Sequence, residues 1–425
     1  MKKVILVTYF FQPSTLTPSQ RATYFAENFH QLGYWPIVIT REWDIPISSY
    51  FDTKIKVGTK IRHVKYDHYE VYYLPFLPGI LDKAYLAWGE NFLRPLFLVV
   101  KLIDIVLVNF TLAFTSYRNF YPFLISILRK ENISSVLISG APFYLFKLGY
   151  LVKKKFGVRW FADYRDDWTT NLIEIQKGAN LLRKAVNFLE RKYEKKWVAS
   201  SQMVISVSEV YTRRISEFLN KHGINVENGF DERILNLPDS PLLDDFTIVY
   251  SGTLYPFQDL SVILDALESL VEEGQMVKLV FLGSAFDIKE KRRIEALIKD
   301  SLKPYISITE RVPRHEAVIF LKRAHVLLSV SYGNLKGIPS SKLYEYIGLR
   351  KPVLLCPSDK DVMQSMVQSA GVGYIANTSA ECCNQIKEIM GLYKHSDSGV
   401  IFDRTDTAIL KFSRNAQLQK LKGIL

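Results

Sequence analysis

Gly337-Ile338-Pro339-Ser340-Ser341-Lys342-Leu343-Tyr344-Glu345-Tyr346, followed by Lys351-Pro352-Val353-Leu354, reads as a loop, a helix start and the next β-strand. Pro339 and the two serines suit a helix N-terminus. Such an end exposes free backbone N–H groups and a partial positive charge, so it can hold a diphosphate. Lys342 adds a full charge. Glu345 lies one turn further along, placed to accept hydrogen bonds from ribose hydroxyls. The same string also suits an ordinary capped helix with a solvated Lys and Glu, and the chemistry alone leaves both readings open.

Outward from this string, short apolar runs alternate with amphipathic stretches. Before it stand candidate strands at Phe246–Tyr250, Lys278–Leu282, Tyr305–Thr309 and His325–Val330; after it come Pro352–Cys356 and Gly373–Ala376. Leu260–Glu272 and Arg314–Arg323 read as intervening helices. The same alternation runs through the first half. Strands are predicted at Lys3–Tyr9, Pro36–Thr40, Ser135–Ser139, Arg159–Ala162 and Met203–Val207, with helices at Ser19–Gln31 and Phe143–Lys155. Strand–helix alternation is the signature of parallel sheets covered by helices. It occurs twice, separated by Phe230–Asp245, which holds Pro238, Pro241 and several Asp and reads as an interdomain linker. The 425 residues suit two α/β domains of roughly 200 residues each. A last helix, about Thr405–Lys420, is expected to pack back on the first domain.

The composition is globular, with 48% apolar and 23% charged residues, which excludes a disordered chain. The cysteines Cys356, Cys382 and Cys383 form no CxxC pair, arguing against a disulfide framework or a zinc site and for a reducing, cytoplasmic compartment. No metal ligand set is assigned. The net charge of +12 can attract phosphates, nucleic acid or an anionic membrane. No aromatic-interleaved basic motif appears, so nucleic acid is not expected as a partner. Met1–Val7 is too short an apolar run for a signal peptide and reads as a buried first strand. Leu96–Tyr117 is strongly apolar but carries Lys101 and Asp104 near its middle, each costing about 2.5 kcal/mol or more in a bilayer. A buried or capping helix is the favoured reading, ahead of a membrane-surface helix and a span. The runs Lys153-Lys154-Lys155 and Arg191-Lys192-Tyr193-Glu194-Lys195-Lys196 suit solvated helix faces or a dock for an anionic membrane at its inner face.

The 337–354 string resembles the donor-site motif of glycosyltransferase family 4 and its relatives, many of which read like IPSKLYEY before a Gly-Lys-Pro-Val-like turn. Three other stretches agree in order. Val249-Tyr250-Ser251-Gly252-Thr253-Leu254 is similar to that family's first strand and donor loop in the C-terminal domain, and Val280-Phe281-Leu282-Gly283 to its second strand. Trp160-Phe161-Ala162-Asp163-Tyr164-Arg165-Asp166-Asp167-Trp168 resembles its Asp-x-Arg-Asp-x-Trp segment. The likeness covers nearly the whole chain, weakly over Trp43–Asn132. It implies an α/β GT-B fold of two Rossmann-like domains facing a cleft, with an acceptor domain at 1–230, a nucleotide-sugar domain at 246–404 and the terminal helix in 405–425.

The resemblance also implies the chemistry: transfer of a sugar from a nucleotide-diphosphate sugar to an acceptor hydroxyl, with retention, no cofactor besides that co-substrate and no essential metal. A carbohydrate or lipid-linked acceptor, in polysaccharide or glycolipid assembly, is expected. The donor set is Gly252, Thr253, Arg311, Lys336, Gly337, Ser340, Ser341, Lys342 and Glu345. Asp163, Arg165 and Asp166 follow a strand end, where open α/β sheets bind ligands, and a carboxylate there could orient an acceptor hydroxyl. A structural ion pair supporting the loop is the alternative for these three. The chain departs from the family in several places. Gly337 stands where many members have a first glutamate, and Leu254, Tyr255 and Gln258 stand where many have cations. Thr17-Pro18-Ser19-Gln20-Arg21 replaces a Gly-Gly pair, and Ser139-Gly140-Ala141-Pro142-Phe143 lacks the histidine some relatives carry. These gaps keep two rivals open: a nucleotide-sugar epimerase of the same fold, and a non-catalytic nucleotide-sugar-binding subunit.

Overall fold

The computed structural model describes residues 1–14, 16–45, 51–88, 94–171, 181–238, 240–394 and 407–425. They form two compact units, Met1–Glu227 with Leu418–Leu425, and Asn228–Gln417. In the first, strands β1 (Lys2–Thr8), β2 (Tyr34–Arg41), β3 (Arg62–Lys65), β4 (Glu70–Leu74), β5 (Ile133–Gly140), β6 (Arg159–Tyr164), β7 (Met203–Ser206) and β8 (Gly223–Asn225) build one sheet in the order β3-β4-β2-β1-β5-β6-β7-β8. All pairings are parallel except β3 with β4. The five strands read from sequence, β1, β2, β5, β6 and β7, are the ones buried almost throughout. The sequence pattern misses β3, β4 and β8: β3 is an exposed Arg-His-Val-Lys edge, β8 has only three residues, and β4, Glu-Val-Tyr-Tyr-Leu, is a short run whose tyrosines do not stand out as a strand. Val4, Leu6, Phe25, Phe29, Leu137, Phe161 and Ile205 lie in the core of this unit.

The second unit holds β9 (Phe246–Ser251), β10 (Val277–Leu282), β11 (Ile306–Ile308), β12 (Val326–Ser329), β13 (Val353–Leu355) and β14 (Gly373–Ile375), all parallel, in the order β11-β10-β9-β12-β13-β14. Successive side chains of a strand point to opposite faces. Ile248, Tyr250, Phe281 and Leu328 thus fill one core, and Val249, Val280, Leu327 and Val353 the other. Burial on both faces is why these strands read as continuous apolar runs. Both sheets are Rossmann-like.

The Pro/Asp-rich stretch at 230–245 packs on the second unit, apart from Asp239, which lies outside the described residues. Phe230 N donates to Phe412 O at 3.0 Å and Arg414 N to Phe230 O at 2.8 Å, and Glu232–Asn236 forms a 3₁₀ turn. The units therefore part at the near edge of that stretch, because Phe230 is itself core. Residues 395–406, which include the expected end of the second domain and the start of the last helix, also lie outside the described residues. Where one terminal helix was expected there are two short ones, Thr407–Leu410 and Arg414–Gln419, and only Leu418–Leu425 joins the first unit.

The apolar segment at 96–117 contributes the helix Arg94–Phe110, with Ile105 and Val108 buried and Phe110 78% exposed. Its charges are housed in protein. Lys101 pairs with Glu190 at 3.3 Å, and Asp104 is buried, its carboxyl pushed up to about 6 by that burial. Among the described residues no helix is long and apolar enough to cross a membrane.

Candidate functional site

In the second unit the carboxyl end of β9 meets the start of the helix Ser341–Leu349. Gly252, directly after β9, has φ +87° and donates its N–H to Leu282 O at 2.7 Å. A Cβ there would come within 3.2 Å of Lys342 Cε, so glycine serves both the backbone conformation and the approach of the lysine. Lys342 Nζ donates to the Tyr250 hydroxyl at 2.5 Å and to Thr253 O at 2.7 Å, and lies 4.2 Å from the Tyr250 ring centroid. One turn on, the Tyr346 hydroxyl accepts from Ser251 N at 2.9 Å. Residues i and i+4 of the helix thus both grip the end of β9. The Lys342 ammonium is packed among protein atoms, and burial pushes its pKa down to about 7.

Neighbouring strand ends complete the cluster. Ser284 Oγ donates to Gly252 O at 2.7 Å, and Gly283 N to Thr309 Oγ1 at 3.0 Å. Arg311, exposed, runs past Gly283 and sets its guanidinium 4.0 Å over the Phe286 ring. Ser340 is buried with extended backbone and makes no side-chain cap, while Ser341 is exposed at the first helical position. An N-terminus not closed by its own cap keeps its donors for an anion. Glu345 accepts from Arg314 Nη2 at 2.8 Å, a partner the sequence pattern misses. Lys336 and Gly337 face elsewhere. Lys336 Nζ donates to Asp359 O, and Gly337 N to Asp361 Oδ2 at 2.5 Å, both in the turn before the helix Val362–Ala370. Gly252, Thr253, Arg311, Ser340, Ser341 and Lys342 are therefore brought together, Glu345 lies one turn away, and the Lys336 ammonium is tied to that turn.

In the first unit Asp163, the last residue but one of β6, is fully buried. Arg21 Nη2 and Nε donate to its Oδ1 at 2.9 and 3.2 Å, and Ser139 Oγ donates to its Oδ2 at 2.8 Å. Arg21 Nη1 also donates to Val226 O at 2.7 Å. Arg21, which the sequence offers only as part of a departure from a glycine pair, is thus the partner of the motif's first carboxylate. Arg165 and Asp166 pair with each other at 2.6 Å, with Asp166 half exposed. The loop is fixed from beneath. Arg214 Nη1 donates to Asp167 Oδ2 at 2.7 Å, and buried Glu194 accepts from the Tyr164 hydroxyl at 2.9 Å and from Thr169 Oγ1 at 2.5 Å. Burial pushes Glu194 up to about 7 and Asp167 up to about 6, the latter against the pull of Arg214. All three residues are thus ion-paired, Asp163 with Arg21 in full burial, and Arg165 with Asp166 where both keep surface toward solvent.

Residues 236–397 match the family model described as glycosyl transferases group 1. No curated protein matches the chain. Among solved structures it is similar to sucrose-phosphate synthase from Thermosynechococcus elongatus, at 14% identity over 99% of this chain and 97% of that one, with a TM-score of 0.62. OtsA is similar at 11% identity over all of both chains, with a TM-score of 0.66. HepE of Anabaena, in complex with UDP-glucose, is similar at 10% identity over 99% and 98%, with a TM-score of 0.58. At such identities the likeness is one of fold, and the fold is GT-B.

Proposed function

Residues 236–397 match the model of glycosyl transferases group 1 in a chain of GT-B fold, and from that likeness we propose that the protein transfers a hexosyl group, with retention, from a uridine diphosphate sugar to an acceptor hydroxyl. The observation that carries this reading is Lys342, a half-buried lysine at an uncapped helix start, set against Gly252 and the Thr253 carbonyl at a strand end. Uridine is chosen because HepE, of the same fold, is described with UDP-glucose. The diphosphate lies against Lys342 and the first turn of the helix, with Arg311 beside it. Glu345 takes the ribose hydroxyls once Arg314 shares it. Positioning and stabilisation of the leaving diphosphate supply the catalysis. Arg165 and Asp166 engage the acceptor, and Asp163 holds their strand end in place.

The acceptor belongs to polysaccharide or glycolipid assembly, and the first unit works at an anionic membrane surface. Two helices support this. Arg94–Phe110 exposes Ile103, Val106 and Phe110; Leu181–Val198, joined to it by the Lys101–Glu190 pair, exposes Leu181 and Phe188 beside Lys184, Arg191, Lys192 and Lys195. Apolar side chains among cations suit an anionic interface.

Calorimetry with UDP-glucose tests the donor site. The wild type binds, and Lys342→Ala loses a charge-assisted contact of about 1.5–3 kcal/mol, roughly ten- to a hundredfold in affinity. Equal affinity in the two proteins refutes the site.

A further inference from the structure

The loop after Gly252 and Thr253 carries an exposed aromatic group where relatives carry cations. Tyr255 and Phe257 stack at 5.7 Å with planes 8° apart, and are 45% and 36% exposed. Tyr332, in the loop after β12, adds a third ring 5.9 Å from Tyr255 and 6.2 Å from Phe257. The backbone beneath is held on several sides. Buried Gln258 accepts from Tyr255 N at 3.0 Å and donates to Val330 O at 2.8 Å. Arg293 donates to Tyr255 O at 3.1 Å and to Gln258 O at 3.4 Å. Gly333, at φ +58°, lets the second loop close on the first, since a Cβ there would sit 2.9 Å from Phe257 O. Large apolar rings held in solvent on a fixed backbone mark a binding surface rather than a frayed loop.

The sheet order says which part of a donor reaches these rings. Phe286 follows β10, and Arg311 and Arg314 follow β11, so the Arg311–Phe286 contact and the Arg314–Glu345 pair lie on the β10–β11 flank of β9. Tyr332 follows β12, on the other flank, and Tyr255 and Phe257, in the loop after β9 itself, stack toward it. Lys342 is bound to the Thr253 carbonyl between them. A diphosphate at Lys342 with its ribose toward Glu345 directs the remaining end of the donor, the sugar, to the rings.

We propose that Tyr255, Phe257 and Tyr332 form a stacking subsite for the transferred sugar and select a neutral hexose over a uronic acid. The inference rests on the donor site proposed above. The C–H face of a pyranose ring covers an aromatic face without leaving a polar group unpaired. Among the described residues of these two loops the cation is Lys336, and its ammonium is tied to Asp359 O, away from the rings. Thr253 and Gln258 are neutral, and Arg293 is committed to two carbonyls and to Glu290 at 2.7 Å. Desolvating an unpaired carboxylate is costly.

The test is calorimetry on the full chain with UDP, UDP-glucose and UDP-glucuronate. The wild type is expected to bind UDP-glucose at least tenfold more tightly than UDP-glucuronate. A Tyr255→Ala/Phe257→Ala variant should lose about tenfold for UDP-glucose while its UDP affinity stays within twofold, and Phe257→Tyr alone should keep UDP-glucose affinity within twofold of the wild type. Unchanged UDP-glucose affinity in the double variant, or equal loss for UDP and UDP-glucose, overturns the subsite and leaves the donor site standing. A wild type that prefers UDP-glucuronate overturns the selectivity. A wild type that binds none of the three overturns the donor site, and the subsite with it.

Discussion

Burial opposes the charge of Lys342, and the diphosphate proposed to bind there would restore it. With its pKa pushed down to about 7, the free protein loses this charge as pH rises through neutrality. On the proposed site the anion would bind the protonated form, so binding would take up a proton above that point. UDP-glucose affinity should therefore be highest below pH 7 and fall by up to about tenfold per pH unit above it. Calorimetry from pH 6 to 8.5 should show this slope, and Lys342→Ala should flatten it. At Asp163 the prediction concerns stability. Asp163→Ala leaves Arg21 buried without its partner and should cost about 3–5 kcal/mol in urea unfolding, whereas Asp166→Ala should stay within about 0.5 kcal/mol and lower turnover instead. Lys342 and Gly252 were legible in sequence because each sits in a local string. Tyr250 and Arg21 were not, since their roles are set by partners 92 and 142 residues away. A lysine beside a tyrosine in space leaves no trace in spacing.

At the scale of elements, helices and strands with a strong apolar period were read to within a residue or two. Arg314–Arg323 was read with both of its ends. The segment at 96–117 shows where such reading stops. Its hydropathy gives a helix, but its burial depends on the second helix, Leu181–Val198, which the linear pattern does not pair with it. The exposed apolar residues of both helices make a measurable claim. The protein should float with vesicles of equal parts phosphatidylglycerol and phosphatidylcholine, and high salt should weaken the association. Phe110→Asp with Phe188→Asp should reduce the bound fraction about tenfold, because each ring adds apolar area to the interface. Flotation unchanged by both substitutions would refute this surface.

At the scale of the whole chain, the second unit is enclosed in sequence by the first. Leu418, Leu421 and Leu425 are buried in the first unit's core, and the Tyr34 hydroxyl donates to Leu425 O at 2.9 Å. Deleting 418–425 removes about 1.5–3 kcal/mol of burial per leucine. The first unit should then melt earlier while UDP-glucose affinity is retained; loss of that affinity would show the tail to serve the donor site as well. The same arrangement sets an order of assembly on the ribosome. The sheet of the first unit is complete in sequence by Asn225, but its core stays open until the last eight residues emerge. At about 5–20 residues per second, synthesis of 228–417 imposes a wait of roughly ten to forty seconds. Through that interval the nascent first unit presents a leucine-sized vacancy beside Tyr34, so the later-made unit is able to finish folding before the earlier one.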